Sequence, residues 1–306
     1  MSRYNIFCGS ATALITPFDD NGAVDLIAMG ALIDSQIESG TDALVLCGTT
    51  GESPTLSDDE KKEIWKYARK KIDTSPRRIP LIAGTGANNT EVAVRLSHTA
   101  ELCGADAVLV VTPYYNKSSQ FGIVEHYKRI AASVSLPMII YTVPSRTGVN
   151  IAPATWRELF CIPNIVAVKD ATGDIKHTTM LSGICHELGD EAVDIYSGDD
   201  ELTLPILACG GAGVISVVSN ILPREMHEMC RLFFGGKNAE AVHVWQKALP
   251  LMRAAFCDVN PIPIKYAMAE LGLCRPYLRL PLVPLDETKR ASVKAALELI
   301  CEKRGD

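Results

Sequence analysis

The stretch IVAVKDATGD, residues 165 to 174, is an apolar run that ends on a lysine and then continues with acidic residues, a threonine and a glycine. An apolar run of this length followed by turn-forming residues is typical of a buried strand that leads into a loop. Segments of the same kind recur along the chain, each followed by a helical pattern. There are eight: SATALITPF (10–18), DALVLCG (42–48), IPLIAGTG (79–86), DAVLVVTP (106–113), PMIIYTVP (137–144), IVAVKDAT (165–172), VDIYSGD (193–199) and GVISVVSN (213–220).

These runs are rich in Val, Ile and Leu without strict alternation, as expected for parallel strands that are covered on their outer face. The segments between them, such as NTEVAVRLSHTAELCG (89–104), have apolar residues at a spacing of three to four and end on glycine, which predicts helices. Eight strand-helix units predict an α/β fold, a (β/α)8 barrel. We expect this barrel to span residues 1–224.

The remainder of the chain, residues 225–306, has a helical pattern almost throughout. The pattern runs through LPREMHEMCRLFFGG (222–236), KNAEAVHVWQKALPLMRAAF (237–256), NPIPIKYAMAELG (260–272) and DETKRASVKAALELICEKRG (286–305). No low-complexity linker precedes it, so we expect a helical C-terminal region packed on the barrel.

Composition limits the function. A hydrophobic content of 47% and a charged content of 22% are those of an ordinary globular protein, and a net charge of −6 argues against binding to nucleic acid or an anionic membrane. The ten cysteines form no CxxC pair, which predicts neither a zinc site nor a disulfide framework. MSRYNIFCGS lacks the apolar core of a signal peptide, and no apolar run approaches the ~20 residues that span a bilayer, so a cytoplasmic protein is expected.

In a barrel of this kind the chemistry takes place where the strands end. Lys169 lies two residues after Ala167, so both face the same way, and the small alanine leaves room for the lysine stem. A buried amine that loses its proton is a nucleophile toward carbonyl groups, provided that burial or nearby positive charge such as Arg146 lowers its pKa. The alternative is a salt bridge from Lys169 to Asp170 or Asp174, and Lys169 alone does not decide between the two.

Other strand ends carry polar side chains as well. GTTGES (48–53) offers backbone N–H groups and two hydroxyls that suit a carboxylate, although a plain turn with Ser57 capping the next helix explains it equally. Tyr114, Tyr115 and Tyr141 place phenols after two strands, either as proton carriers or as caps on the core. Arg146 suits a substrate carboxylate or an ion pair between regions. ACGGAGVIS (208–216) is interpreted as a tight turn rather than a phosphate-binding one.

Taken together and in this order, GTTGES, TPYYNK, YTVPSRTG, VAVKDATG, SGDD, GVISV and NPIPIK resemble the dihydrodipicolinate synthase family. That family lies within the pyruvate-dependent Schiff-base aldolases, which include N-acetylneuraminate lyase. The resemblance implies a lyase in which Lys169 forms a Schiff base with pyruvate. The enamine then attacks L-aspartate 4-semialdehyde in the diaminopimelate route to lysine, with no metal or organic cofactor.

The resemblance also implies residue roles. Thr49, Tyr115 and Tyr141 match a proton relay, with Tyr115 reaching into a neighbouring subunit of a homotetramer built as a dimer of dimers. Thr50 matches the residue that holds the pyruvate carboxylate, and Arg146 the one that receives the semialdehyde carboxylate. Gly198 and Ile215 match backbone positions that line the pyruvate pocket.

This chain departs from the family pattern in two places. Thr142 stands where the family usually has asparagine, and catalysis is expected to survive this change. Asp58, Lys61 and Val92 stand where strongly lysine-inhibited members have two histidines and a glutamate, so we expect weak or absent inhibition by L-lysine. The alternatives are another pyruvate-dependent aldolase, such as an N-acetylneuraminate or keto-sugar-acid lyase, and a barrel that binds a keto acid without catalysis.

Overall fold

The computed structural model describes residues 5–304. Within that range the eight strands are all parallel neighbours in chain order and form one closed barrel, which confirms the predicted (β/α)8 fold. The strands are β1 (Gly9–Ala13), β2 (Ala43–Leu46), β3 (Leu81–Gly84), β4 (Ala107–Val111), β5 (Met138–Thr142), β6 (Ile165–Asp170), β7 (Asp194–Ser197) and β8 (Gly213–Ser216).

Helices separate the strands and form the C-terminal region, as predicted. Up to β8 they are α1 (Leu26–Glu38), α2 (Asp58–Asp73), α3 (Thr90–Leu102), α4 (Gln120–Ala131), α5 (Pro144–Thr147), α6 (Pro153–Phe160), α7 (Ile175–Leu188) and α8 (Thr203–Ala208). After β8 come α9 (Pro223–Phe234), α10 (Asn238–Ala254), α11 (Ile262–Glu270) and α12 (Glu287–Arg304). Short 3-10 turns occupy Ser53–Thr55, Gly189–Glu191 and Val218–Asn220.

The chain forms two compact units, one within Met1–Cys8 and Pro80–Ile215, the other within Gly9–Ile79 and Ser216–Asp306. The predicted division at residue 224 stays a prediction, and its outer ends, residues 1–4 and 305–306, lie outside the described residues. No helix between residues 5 and 304 is long and apolar enough to cross a membrane.

In the first unit, β4 to β7 pair as neighbours, with one register shift between β5 and β6 at Met138 and Ile139. Val111 lies opposite Tyr141, Tyr141 opposite Lys169, and Lys169 opposite Tyr196. The strands are buried almost completely because helices cover them on one side and their own side chains fill the other. This register places Tyr141 and Lys169 side by side where β5 and β6 end.

In the second unit, β1 pairs with β2 through Ala11 and Ala43. The loop after β2 contains GTTGES and leads into α2, which begins with a capping box. There Ser57 accepts a hydrogen bond from the Glu60 N–H, and the Glu60 carboxylate accepts one from the Ser57 N–H. The cap satisfies two of the free amides at the helix start, which confirms the predicted role of Ser57.

Candidate active site

Lys169 ends β6 as a buried side chain with only 5% of its surface exposed. Ala167, two residues earlier, is fully buried and leaves space for the lysine stem, as the sequence predicted. Gly198 follows β7 on the other side of the stem. A Cβ atom on Gly198 would lie 3.1 Å from Lys169 Cε and 2.6 Å from Ala171 Cβ. Glycine is therefore favoured at position 198, because a Cβ atom would clash with Ala171 and crowd the lysine stem.

Burial lowers the pKa of Lys169 to about 8, an effect that the Asp200 carboxylate opposes and the Arg146 guanidinium reinforces. Removing an ammonium from water disfavours its charged form. At pH 7 a lysine with this pKa is neutral in about one molecule in ten, against about one in three thousand for an amine with a pKa of 10.5. The site therefore supplies a substantial population of nucleophilic amine.

The two carboxylates proposed as salt-bridge partners for Lys169 are engaged elsewhere. Asp170 accepts hydrogen bonds from Thr172, from the Thr178 hydroxyl at 2.8 Å and from His177 Nδ1 at 3.1 Å. Asp174 caps α7 by accepting from the Lys176 N–H. Neither forms an ion pair with Lys169 among the described residues, so the salt-bridge alternative is wrong.

Trp156 determines which ring nitrogen of His177 carries the proton. Its Nε1–H donates to His177 Nε2 at 3.2 Å, so that nitrogen is the acceptor and Nδ1 carries the proton donated to Asp170. The chain Trp156–His177–Asp170 thus holds the residue next to Lys169. No sequence pattern indicates this chain, because Trp156 lies on α6 and His177 on α7.

Tyr141 packs directly against the lysine. The Lys169 Nζ lies 4.4 Å from the centre of the Tyr141 ring, and the ring is 7% exposed. An ammonium over an aromatic face is attracted by the ring electrons. The structure therefore brings together the predicted nucleophile and one of the predicted proton carriers.

Tyr115 and Arg146 are placed differently from Tyr141. Tyr115 is 88% exposed, has a backbone φ of 71°, and hydrogen-bonds to no described residue through its phenol. Arg146 is exposed on the short helix α5, between Pro144 and a left-handed Gly148. Arg146 acts electrostatically on Lys169, whereas Tyr115 points into solvent within one copy of the chain.

The end of β7 and the strand β8 contribute Gly198 and Ile215, the two predicted pocket positions of the first unit. Ile215 is 1% exposed within β8. In the glycine turn before it, the N–H groups of Gly210, Gly211 and Ala212 all donate to backbone carbonyls. Because these N–H groups already donate to backbone carbonyls, they are not available to bind a phosphate. This agrees with the interpretation of ACGGAGVIS as a tight turn.

The GTTGES turn of the second unit is closed by two backbone hydrogen bonds, from the Glu52 N–H to Thr49 O at 3.1 Å and from the Ser53 N–H to Gly48 O at 3.2 Å. Thr50 is 2% exposed and Thr49 is half-buried. Within residues 5–304 the N–H groups of Thr49 and Thr50 donate to no acceptor. Two such amides in one turn form a ready site for an anionic group.

A buried ion pair anchors the end of this turn. Glu52 has a left-handed backbone, with φ of 55°, and its carboxylate accepts from the Lys265 ammonium on α11 and from the Arg279 N–H. Lys265 Nζ and the Arg279 guanidinium lie 4.2 and 4.4 Å from the centre of the buried Phe18 ring. One local pattern indicates this cluster, namely a lysine within the otherwise apolar segment IPIKYAMA (262–269).

In the part of the chain that the structure describes, no group of three or more His, Cys, Asp or Glu side chains is arranged to hold a metal ion. None of the cysteines described there forms a disulfide.

The comparisons with known proteins agree with this geometry. The model of the dihydrodipicolinate synthetase family matches residues 6–300. The 4-hydroxy-tetrahydrodipicolinate synthase of Clostridium novyi is 45% identical over 293 residues, with 96% of each chain covered.

Solved structures show the same similarity. The dihydrodipicolinate synthase of Thermotoga maritima superposes with a TM-score of 0.92 at 40% identity, covering 96% of this chain and 98% of that one. A structure described as the first monomeric dihydrodipicolinate synthase variant gives 0.93 at 39% identity, covering 97% of each chain. Since a family model spans nearly its whole length and its relatives share both sequence and fold, the chain belongs to the dihydrodipicolinate synthetase family.

Proposed function

We propose that this protein is a lyase that joins pyruvate to L-aspartate 4-semialdehyde, forming 4-hydroxy-tetrahydrodipicolinate. The observation that carries the proposal is the buried Lys169, with its pKa lowered to about 8, against the ring of Tyr141. A neutral amine in that position attacks the pyruvate carbonyl. The relatives named as synthases favour this function over the lyases of neuraminate and other sugar acids.

The steps balance as follows. The Lys169 amine adds to C2 of pyruvate and water leaves, which forms an imine. The imine draws electrons from the methyl carbon, which loses a proton and becomes the enamine nucleophile. This carbon attacks the semialdehyde carbonyl and forms the new C–C bond. The amino group of the semialdehyde then attacks C2 and displaces the lysine.

Each remaining residue has a role in this scheme. Tyr141, Thr49 and Tyr115 pass protons to and from the reacting oxygens, and the Thr50 turn holds the pyruvate carboxylate through its free donors. Arg146 receives the carboxylate of the semialdehyde. Gly198 and Ile215 line the pyruvate pocket. The imine itself is the electron sink, so the scheme uses no metal or organic cofactor.

The proposal extends to assembly and location. The exposed Tyr115 serves the site of a neighbouring subunit, which requires at least a dimer, and the assembly is a tetramer built as a dimer of dimers. The enzyme works in the cytoplasm, without a nucleic acid or membrane partner.

Trapping the imine tests the proposal. Incubation with pyruvate and borohydride is expected to attach the three-carbon unit to the peptide that contains Lys169, as read by mass spectrometry. The exposed Lys176 on α7 is the internal control and stays unmodified. Absence of an adduct on Lys169 would refute the mechanism. A coupled assay with both substrates then establishes the second substrate.

A further inference from the structure

The hydroxyl of Thr50 has one hydrogen-bond partner among the described residues. Asn260 Nδ2 donates to Thr50 Oγ1 at 2.9 Å, and both side chains are buried, at 6% and 2% exposure. A hydroxyl has one proton to donate and two lone pairs that accept. Because Asn260 occupies a lone pair, the proton of Thr50 is left to donate, and it meets no acceptor in residues 5–304.

The same turn carries two more donors of this kind, the N–H groups of Thr49 and Thr50. Three unused donors in two consecutive residues match the acceptor-only chemistry of a carboxylate. If Thr50 donated its proton to position 260 instead, only two donors would remain, and a lone pair would face the ligand. The direction of the Asn260–Thr50 hydrogen bond therefore decides what the turn can bind.

A nearby ion pair holds Asn260 in position. Asn260 lies just before α11, and Lys265 on that helix pairs with Glu52, two residues after Thr50. Both members of the pair are almost fully buried, so breaking it would leave an uncompensated charge. Two contacts from residues 260–265 thus reach residues 50–52 and fix the distance between the asparagine amide and the threonine hydroxyl.

We propose that Asn260 is a positioning residue that makes Thr50 an obligate hydrogen-bond donor to the carboxylate of the keto acid. The inference rests on the proposed function, because that function supplies the carboxylate. Asn260 touches Thr50 and no reacting atom, so it acts through the threonine.

The test measures the pyruvate concentration that gives half-maximal borohydride labelling of Lys169. Asn260→Asp keeps the shape of the side chain but replaces the donor by an acceptor, which turns the Thr50 proton away and adds a negative charge. We expect the half-maximal concentration to rise about tenfold to a hundredfold, the effect of losing a hydrogen bond to a charged group. The extent of labelling at saturating pyruvate is retained.

A double-mutant cycle separates positioning from a general loss of structure. Asn260→Ala raises the half-maximal concentration in the parent chain and changes it little in a Thr50→Val background, because the hydroxyl through which it acts is gone. Asn164→Asp is the matched control, since within residues 5–304 the Asn164 side-chain amide donates only to the carbonyls of Ala131, Val134 and Leu136. It lowers thermal stability without changing the half-maximal concentration.

Failure of the proposed function and failure of the positioning role of Asn260 give different results. If the parent chain forms no adduct with pyruvate, the proposed function is wrong. If the parent chain is labelled but Asn260→Asp labels at the parent concentration, or Asn260→Ala has the same effect with and without the Thr50 hydroxyl, the positioning role is wrong. Should Asn260→Asp not fold, the alanine cycle decides alone.

Discussion

Lys169 and Tyr141 occupy paired positions on neighbouring strands, and the lysine Nζ lies 4.4 Å from the centre of the tyrosine ring. The aromatic face favours the charged form of the amine, whereas burial favours the neutral form. Burial is the larger effect, since the pKa of Lys169 is lowered to about 8. The amine is therefore available near neutral pH while its protonated form is still stabilised.

The pH dependence of imine formation follows from this pKa. Below pH 8 most Lys169 is protonated and unreactive, so the rate of pyruvate labelling should rise with pH through about 8 and level off above it. The measurement is the initial rate of borohydride trapping across a pH series at saturating pyruvate. A rate still climbing steeply toward pH 10 would show that the site does not lower the lysine pKa.

Arg146 contributes a positive charge near Lys169. In the proposed function its guanidinium also binds the carboxylate of the semialdehyde through two parallel N–H donors. Arg146→Ala should lower kcat/KM for the semialdehyde by a factor that corresponds to roughly 2 to 4 kcal/mol of lost transition-state stabilisation. It should also raise the pH at which the rate of pyruvate labelling of Lys169 levels off. Arg146→Lys keeps the positive charge but lacks the paired N–H donors of the guanidinium. It should therefore retain the pH dependence of labelling and lose part of kcat/KM for the semialdehyde. Comparable turnover of N-acetylneuraminate by the parent chain would contradict the assigned specificity.

Thr142 carries a fully buried hydroxyl that has no hydrogen-bond partner among residues 5–304. Replacing it by a methyl group removes an unsatisfied polar atom, so Thr142→Val should raise the free energy of unfolding by about 1 kcal/mol and leave catalysis intact. Thr112→Val is the matched control: its equally buried hydroxyl donates to Tyr141 O at 3.1 Å, and this change should destabilise the chain. Denaturant titration of both variants tests the pair, and a loss of stability in Thr142→Val would show that its hydroxyl is satisfied.

Assembly can be tested through Tyr115, which is 88% exposed in one copy of the chain. We expect a tetramer of four 33.1 kDa chains in sedimentation. Lys169→Met and Tyr115→Phe should each be nearly inactive alone, yet regain activity when mixed and allowed to exchange subunits, because one partner supplies the amine and the other the phenol. A fully active monomer, or mixed oligomers without recovery, would remove Tyr115 from its role.

Inhibition by L-lysine is expected to be weak. Val92, on α3, offers no carboxylate for an effector's amino group, and the neighbouring Glu91 lies 3.4 Å from Arg129 in an ion pair. Loss of a charge-assisted partner costs roughly 1.5 to 3 kcal/mol, at least about tenfold in affinity. The check is lysine titrated against initial rate at subsaturating pyruvate, with Val92→Glu as the variant expected to bind more tightly. Half-inhibition of the parent chain well below millimolar would contradict this expectation.

The strands and helices were predictable because their signal is local. The run IVAVKD forms β6 from Ile165 to Asp170, and the helical pattern after residue 222 forms α9 to α12. The space for Lys169 was also predictable, since strand periodicity relates it to Ala167. A short segment of sequence contains all the information that these features need.

The bracing of the GTTGES turn was not predictable. Glu52 and Lys265 are 213 residues apart, and Thr50 and Asn260 are 210 apart. No spacing rule links such positions, so the sequence does not indicate that the motifs GTTGES and NPIPIK contact each other. The side-chain direction of Tyr115 was equally hidden, because it depends on the left-handed backbone at that residue.

The ion pair between Glu52 and Lys265 also has a consequence for synthesis on the ribosome. The chain emerges from its N-terminus, so Glu52 appears more than two hundred residues before Lys265, whose ammonium pairs with it. Until translation passes residue 265, Glu52 has no counter-charge from α11, and a solvated carboxylate is more favourable than a buried one. Chains that terminate after residue 216 and before residue 265 therefore contain all eight strands but lack the lysine that braces the GTTGES turn.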